Sequence, residues 1–257
     1  MRIWMIRHGD PDYVHDTLTE KGRREAALLS ERVIRENVRD FYVSPLGRAK
    51  DTAEYTLKRL GRSAQVMDWL KEFPVQVDIN DSLTLQKAYP DTRQENGRYV
   101  NRIAWDMVPG SWREIPEYSD KEAWRKTEVA ACSDLTAVYD RVAAGLDELL
   151  EKYGYVRDQS LYRTERGNQD TIIFFCHFGV TCVLLSHLWN VSPFVLWHSL
   201  AMAPTSVTEI YTEEREKGIV TFRASKIGDT AHLYAYNEPP SFSARFCETY
   251  ENQEERH

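Results

Sequence analysis

The stretch Arg2-Ile3-Trp4-Met5-Ile6-Arg7-His8-Gly9 decides the fold that the sequence predicts. Its apolar residues follow one another without a break. This is typical of a strand buried on both faces of a parallel sheet, since a half-exposed strand alternates apolar and polar residues. A cation, an imidazole and a glycine come next. We therefore predict a buried first strand with polar chemistry directly beyond its carboxyl end.

Strand and helix patterns alternate after this stretch. A helix is predicted over about 19–35, a short strand over 41–43, and a second helix that begins with Ser44 as its N-cap and stops near Gly61. The run Thr171-Ile172-Ile173-Phe174-Phe175-Cys176 is the clearest strand of the chain. The alternation predicts an α/β fold, namely a three-layer αβα sandwich with a mostly parallel central sheet.

The predicted organisation is a single domain over 1–257 with one insertion. Between about 80 and 132, prolines and glycines punctuate short segments, which predicts an α-rich cap inserted into the domain. Two runs over 206–211 and 218–224 predict an antiparallel strand pair. Residues 248–257 contain four glutamates against a single arginine, and we expect them to form a frayed acidic tail.

Composition excludes some classes of function. The 257 residues carry a formal net charge of −7, which argues against binding nucleic acid or an anionic membrane through bulk electrostatics. The most apolar stretch is too short to cross a bilayer and no signal-peptide pattern is present, so we expect a cytoplasmic protein. The dispersed cysteines show no zinc or disulfide spacing, and we expect Cys132, Cys176, Cys182 and Cys247 to be reduced and mostly packing residues.

Cationic and imidazole side chains follow the predicted strands. Arg7 and His8 follow the first strand, Arg48 lies in the first turn of the helix after the second, and His177 follows the run that ends at Cys176. Because the carboxyl ends of parallel strands form the ligand crevice, we expect these side chains at one edge. Arginine forks and a helix N-terminus suit a phosphoryl group, and a neutral histidine attacks phosphorus through one ring nitrogen. His8 is the better candidate nucleophile.

Three segments resemble, in this order, the signatures of the histidine phosphatase (phosphoglycerate mutase-like) superfamily. They are Arg7-His8-Gly9, Ser44-Pro45-Leu46-Gly47-Arg48-Ala49-Lys50-Asp51-Thr52-Ala53 and Cys176-His177-Phe178-Gly179. The resemblance implies that His8 becomes a phosphohistidine and that Arg7, Arg48 and His177 hold the phosphate oxygens. The resemblance covers roughly residues 1–69 and the residues from 171 to the strand predicted to begin at 206.

The resemblance also implies a carboxylic acid that protonates the leaving alcohol, often within a Leu-x-Glu segment. Leu70-Lys71-Glu72 matches this pattern, so Glu72 is the predicted proton donor and, after the alcohol has left, the base that acts on water. Asp10 and Glu114 remain alternatives for this role.

The chain departs from the family pattern in ways that bear on its activity. Many members continue from Arg-His-Gly into Glu-Thr and an asparagine that touches phosphate, whereas this chain reads Asp10-Pro11-Asp12-Tyr13-Val14. Phe178 replaces a glycine of the third signature. The longer segment of phosphoglycerate mutases is not recognisable, because Leu18-Thr19-Glu20-Lys21-Gly22 follows closely. These departures favour a phosphatase over a mutase.

Two further groups of residues have alternative interpretations. The cap's aromatic and cationic residues form either a lid over the leaving group or the cap's own small core: Trp105, Trp112, Arg113, Tyr118 and Trp124. Thr205 and Ser206 either border the pocket or form a capping pair. The segment 228–233 resembles a C-terminal segment of some family members, and its His232 is assigned to packing.

The sequence therefore predicts a phosphomonoester hydrolase that needs no metal or organic cofactor. A small phosphorylated molecule is the expected partner, with no nucleic acid and no membrane, while the oligomeric state is open and a homodimer is compatible with the sequence. One alternative function is that of a mutase, which uses the same residues but transfers the phosphoryl group to a bound sugar acid instead of to water. The other is a catalytically idle domain that binds a phosphorylated partner and has no need of His8.

Overall fold

The computed structural model describes residues 1–243 and 249–251. The chain forms two compact units: the first comprises 1–72, 150–181 and the described residues from 201 on, and the second comprises 73–149 and 182–200. The insertion predicted over 80–132 lies within the second unit, and the single-domain organisation stays a prediction. The acidic tail predicted over 248–257 lies outside the described residues, apart from 249–251.

The strands vary in length from two to eleven residues. In chain order they are β1 (Arg2–Arg7), β2 (Pro11–Asp12), β3 (Thr17–Leu18), β4 (Asp40–Val43), β5 (Gln65–Val66), β6 (Gln76–Val77), β7 (Gln94–Glu95), β8 (Arg98–Tyr99), β9 (Arg102–Ile103), β10 (Val156–Asp158), β11 (Leu161–Arg163), β12 (Thr171–Cys176), β13 (Val207–Glu216) and β14 (Ile219–Asp229).

Four of the helices exceed ten residues, and the others are single turns or little more. In chain order they are α1 (Glu20–Val33), α2 (Gly47–Leu60), α3 (Leu83–Ala88), α4 (Pro109–Trp112), α5 (Pro116–Ser119), α6 (Glu128–Ala131), α7 (Leu135–Lys152), α8 (Phe178–Trp189), α9 (Pro193–Trp197) and α10 (Ala231–Tyr234). Two 3₁₀ turns cover Asp68–Leu70 and Ala123–Lys126.

The first unit contains an eight-stranded sheet in the order β10-β11-β14-β13-β1-β12-β4-β5. The α/β fold is confirmed. Strands β1, β12, β4 and β5 are parallel, whereas β13, β14, β11 and β10 join them in antiparallel pairings, so the sheet as a whole is mixed. The antiparallel pair predicted over 206–211 and 218–224 is present as β13 and β14. The parallel half is the half that carries the candidate histidines.

The core of the parallel half has a simple origin in the sequence. Trp4 and Ile6 of β1 lie two residues apart and therefore point to the same face of the sheet. There they form one buried cluster with Leu29 of α1 and Ala53 of α2. Apolar residues repeat about every 3.6 positions along each helix and every second position along the strand. The apolar stripe of each helix therefore packs against one face of the sheet.

The start of the first helix agrees with the expectation, whereas the start of the second differs. Thr19 caps α1 by accepting the Gly22 N–H at 3.1 Å. The second helix begins two residues later than predicted, with Leu46 at its N-cap position, so Ser44 is not its cap. Its end agrees with the prediction, because Gly61 adopts the left-handed conformation that glycine tolerates there. The hydroxyl of Ser44 is used at the candidate site instead.

The second unit has its own aromatic core. Trp112 packs on His198 with ring centroids 4.6 Å apart, and Tyr118 packs on Phe194 at 4.8 Å. Small antiparallel pairs, β6 with β9 and β7 with β8, complete this unit. Within 1–243 and 249–251, no helix combines the length and apolar character needed to cross a membrane.

Candidate active site

The carboxyl ends of two neighbouring parallel strands carry the candidate histidines. Arg7 pairs with Cys176 in the register between β1 and β12, so His8 and His177 are the first residues beyond the paired ends. The His8 N–H donates to the Cys176 carbonyl at 3.0 Å. The two imidazole rings lie side by side, with centroids 5.0 Å apart and planes inclined by 58°.

His8 presents one free ring nitrogen. Its side chain is buried, and its Nδ1 lies 2.7 Å from the carbonyl oxygen of Gly9. Because a carbonyl oxygen only accepts, Nδ1 carries the proton and Nε2 carries the lone pair. Burial, followed by the positive charge of Arg7, lowers the pKa of His8 well below its ordinary value. The ring is therefore neutral at physiological pH, as a nucleophilic imidazole must be.

The His177 side chain is hydrogen-bonded to Ser44, the residue predicted as the N-cap of α2. Its Nε2 lies 2.7 Å from the hydroxyl oxygen of Ser44. The Ser44 oxygen also accepts the Leu46 N–H at 3.2 Å, and we assign the hydroxyl proton to His177 Nε2. With Nε2 accepting, His177 carries its own proton on Nδ1. Burial and the neighbouring His8 ring lower the pKa of His177 well below its ordinary value.

Arg7 is a buried cation with neutral partners. Its Nη1 donates to the carbonyl oxygens of Met202 at 2.7 Å and Ser243 at 2.9 Å. Burial lowers its pKa, while Tyr13 and Glu72 lie close enough to act in the opposite direction. Two carbonyls fix the guanidinium plane without neutralising its charge, so the charge remains available to an anion.

Arg48 is oriented by a residue that sequence reasoning missed. The Asp16 carboxylate accepts from Arg48 Nη1 at 2.6 Å and, through its other oxygen, from the Gly47 N–H at 2.6 Å. The Tyr13 ring lies 5.4 Å from the Arg48 guanidinium. A Cβ on Gly47 would come within 2.1 Å of the Asp16 carbonyl oxygen, so this close approach requires glycine. The glycine before Arg48 was the available signal.

Three buried nitrogens around His8 have no hydrogen-bond partner among the described residues. They are Nε of Arg7, Nε of Arg48 and Nδ1 of His177. Buried polar atoms in proteins are almost always hydrogen-bonded, so several unpaired donors at one place indicate a site for an acceptor-rich ligand. The charges of both arginines also act on both histidine rings. The arrangement is suited to a tetrahedral anion.

Glu72 lies at the same edge of the sheet. Its Oε1 accepts the Val180 N–H, in the first turn of α8, at 3.2 Å, and its charge acts on Arg7 and on Cys176. It is partly buried. The structure therefore brings Glu72 together with Arg7, His8, Arg48 and His177, all within the first unit.

The two alternative acids are placed differently. Asp10 is engaged in the first unit, where its carboxylate accepts from the Thr19 hydroxyl at 2.7 Å and from the Ser241 hydroxyl. Glu114 is exposed and belongs to the second unit. Asp10 thus has other hydrogen-bond partners, whereas Glu72 points into the neighbourhood of Arg7.

The candidate lid residues belong to the second unit. Trp112, Tyr118 and Trp124 are buried, and their ring contacts are with residues of the same unit. Arg113 is exposed, with its guanidinium 5.3 Å from the Trp112 ring. Trp105 packs 5.7 Å from Trp197. These contacts favour the interpretation as the cap's own core, and contact with substrate stays a prediction.

The neutral state of His8 has a consequence for pH dependence. Because its folded pKa lies well below the ordinary value, the unprotonated nucleophile persists as pH falls through about 6.5, the pKa of an unperturbed histidine. We expect the pre-steady-state burst of phenol from a saturating aryl phosphate to keep its rate from about pH 8 to about pH 5.5. A burst rate that falls with an apparent pKa of about 6.5 would contradict this assignment.

Part of the chain matches a known protein family. Residues 3–104 match the model of the histidine phosphatase superfamily (branch 1). A protein of Schizosaccharomyces pombe named as a probable phosphatase is 23% identical over 248 residues, which cover 91% of this chain and 95% of that protein.

Solved structures of phosphatases share the fold. The chain resembles a mutant phosphoserine phosphatase of Entamoeba histolytica in complex with phosphoserine, with a TM-score of 0.57, 16% identity, and coverage of 90% of this chain and 98% of the other. It also resembles a mycobacterial glucosyl-3-phosphoglycerate phosphatase, with a TM-score of 0.54, 20% identity, and coverage of 87% and 96%. In the family match over 3–104, in its fold and in its three signatures, this chain is similar to the histidine phosphatase superfamily.

Proposed function

We propose that the protein hydrolyses phosphomonoesters of small metabolites through a phosphohistidine formed on His8. The observation that carries the proposal is the pairing of His8 and His177, whose rings lie 5.0 Å apart and are both acted on by the charges of the buried Arg7 and Arg48. The free Nε2 of a neutral His8 supports its role as nucleophile. The unpaired donors of Arg7, Arg48 and His177 support their role in binding phosphate.

In the first step, Nε2 of His8 attacks phosphorus in line with the ester oxygen. The P–N bond forms as the P–O bond to the leaving group breaks, and Glu72 transfers its proton to the departing oxygen. Arg7, Arg48 and His177 donate to the three equatorial oxygens, where negative charge is concentrated in the transition state. The hydrogen bond from Nδ1 to Gly9 stabilises the positive charge that develops on the ring.

In the second step, water replaces the histidine. Glu72, now ionised, takes a proton from water as the water oxygen attacks phosphorus and the P–N bond breaks. The products are inorganic phosphate and a neutral His8, and Glu72 has regained its proton. The amide of Val180 and the charge of Arg7 lie where they stabilise the ionised form of Glu72 between the two steps.

The proposal extends to substrate class and surroundings. Two phosphatases of similar fold act on phosphoserine and on glucosyl-3-phosphoglycerate, as their names state, which supports a small phosphorylated metabolite as substrate. The net charge of −7 supports a protein that binds neither nucleic acid nor membrane. We further propose a cytoplasmic location, and a homodimer is compatible with the proposal.

The mechanism uses no metal, and this is testable with the purified protein. Within 1–243 and 249–251, no group of three or more His, Cys, Asp or Glu side chains is arranged to hold a metal ion. We expect EDTA to leave the hydrolysis of an aryl phosphate unchanged within about twofold, because protein donors alone stabilise the phosphoryl oxygens. Loss of turnover with EDTA that returns with added divalent metal would contradict the proposed mechanism.

A panel of phosphorylated metabolites identifies the substrate and separates the rivals. A hydrolase releases inorganic phosphate from at least one compound. A mutase instead isomerises 3-phosphoglycerate when the bisphosphate primer is added, because the phosphohistidine then returns its phosphoryl group to a bound sugar acid. A domain that only binds phosphate shows neither reaction.

A further inference from the structure

We propose that Thr205 and His232 are a positioning pair that holds Arg7 and His8 in the geometry required for phosphoryl transfer. The inference rests on the proposed function and names residues that do not themselves touch the reacting atoms.

The loop before β13 contacts Arg7 and His8 through its backbone. The Met202 carbonyl accepts from Arg7 Nη1 at 2.7 Å. The Thr205 N–H donates to the His8 carbonyl at 3.1 Å, and the Ser206 carbonyl accepts the Arg7 N–H at 3.2 Å. One short loop thus orients both the cation and the nucleophile, and any movement of the loop is transmitted to them.

Thr205 holds this loop in an unfavourable conformation. Its φ is 58°, in the left-handed region that a β-branched side chain rarely adopts. The residue is completely buried. Strained conformations of this kind persist only where the surrounding structure enforces them, and they cluster at functional sites. This conformation directs the Thr205 N–H to the His8 carbonyl.

His232 supplies the restraint. Its Nε2 lies 3.0 Å from the Thr205 hydroxyl oxygen. Because that hydroxyl donates its own proton to the Pro204 carbonyl at 2.7 Å, the oxygen accepts from a protonated Nε2. Nδ1 is then the unprotonated nitrogen, and it is buried without a hydrogen-bond partner among the described residues. The buried imidazole therefore has one polar contact that defines its role.

The position of His232 is itself fixed. It lies in α10, whose first N–H, that of Ala231, is accepted by Asp229 at 2.9 Å. Asp229 in turn pairs with Arg32 of α1 at 2.7 Å. The imidazole thus connects α10 to the strained loop. A packing role alone requires only its volume and not the proton on Nε2.

The test distinguishes the effect of the hydrogen bond between Thr205 and His232 from the effect of the volume of their side chains. Thr205→Val and His232→Leu keep the approximate size and remove the hydrogen bond, whereas Thr205→Ser and His232→Gln keep an oxygen and an N–H at the corresponding positions. Thr56→Val is the matched control, because Thr56 is also completely buried in the first unit and its hydroxyl has no partner among the described residues. The readouts are the inhibition constant of inorganic phosphate, KM and kcat for an aryl phosphate, the melting temperature, and the ring ¹⁵N shifts of His8.

We expect Thr205→Val and His232→Leu to weaken phosphate binding by about tenfold, as for the loss of one buried hydrogen bond. The shifts of His8 should move with the affinity. Thr205→Ser, His232→Gln and the control Thr56→Val should stay within about threefold of the parent. The double variant Thr205→Val/His232→Leu should be no worse than either single variant, because both remove the same interaction.

Unchanged phosphate affinity and unchanged His8 shifts in Thr205→Val and His232→Leu would overturn the inference. So would an additive double variant, or equal losses in the control at equal melting temperature. If the parent protein neither binds phosphate nor hydrolyses any ester, the proposed function fails. The His8 shifts in the same variants then still decide whether the pair positions the ring.

Discussion

Replacement of His8 by alanine is expected to lower kcat/KM for every phosphomonoester by at least about 10⁴-fold, as for removal of a nucleophile from other covalent enzymes. The reason is geometric. In the proposed mechanism the free Nε2 of His8 is the nucleophile, whereas His177 has its Nε2 engaged with Ser44. No other described imidazole is paired with His8 in this way, so no neighbour substitutes for it.

The binding of inorganic phosphate to the His8→Ala variant is the necessary control. Because Arg7 and Arg48 retain their partners in the loop before β13 and at Asp16, we expect the affinity for phosphate to change by less than about tenfold. Loss of activity with retained binding identifies a chemical role. Retained activity in His8→Ala would refute the role of His8 as nucleophile. If the parent and the variant bind phosphate equally and the parent has no activity, the result would favour the idle phosphate-binding domain.

The second large effect is expected for Glu72→Gln, and it depends on the leaving group. With an alkyl phosphate the departing alkoxide needs a proton, so formation of the phosphoenzyme should slow by about 10²- to 10⁴-fold. With an aryl phosphate the phenolate leaves unaided, so the burst of phenol should keep nearly its full rate. Steady-state turnover should still fall for both substrates, because the second step needs Glu72 as the base.

Two further variants serve as comparisons for this experiment. Asp10→Asn and Glu114→Gln change the alternative acids, and we expect neither to show a loss that depends on the leaving group. Rapid quench of alkyl and aryl substrates, with burst and steady-state phases fitted separately, measures both steps. An equal slowing of the burst for both leaving groups in Glu72→Gln would rule out its role as proton donor, and a leaving-group effect in Asp10→Asn would transfer that role.

The sequence predicts those site residues that come directly after a strand in the chain. β1 and β12 are continuous apolar runs, and the register that pairs Arg7 with Cys176 places the next residue of each strand at the same edge. His8 and His177 could therefore be predicted to meet. Arg48 follows for a related reason, because the first turn of a helix after a parallel strand faces that same edge.

The remaining parts of the site depend on contacts between distant segments. Ser44 has the sequence pattern of a helix N-cap, but the helix begins later and the hydroxyl binds His177 instead. Asp16 binds Arg48 only because its backbone adopts a left-handed conformation next to Gly47. Periodicity and capping rules describe neighbours along the chain. They carry no information on which side chain a distant loop presents.

The mixed sheet shows a similar limit. Alternating strands and helices predict parallel pairings, and β1, β12, β4 and β5 have them. The antiparallel half arises because β13 and β14 form a hairpin, and β13 pairs with β1 along its other edge. The hairpin itself could be predicted. Which strand pairs with the free edge of β13 depends on how the whole chain folds.

Trapping the covalent intermediate shows whether a phosphohistidine forms at His8. The protein is mixed with a ³²P-labelled phosphomonoester, quenched in alkali within milliseconds, digested, and the labelled peptide is sequenced. The account predicts one acid-labile, alkali-stable phosphohistidine at His8, formed at the rate of the burst and absent from His8→Ala. Label on a different residue, or single-turnover hydrolysis without any labelled protein, would contradict it.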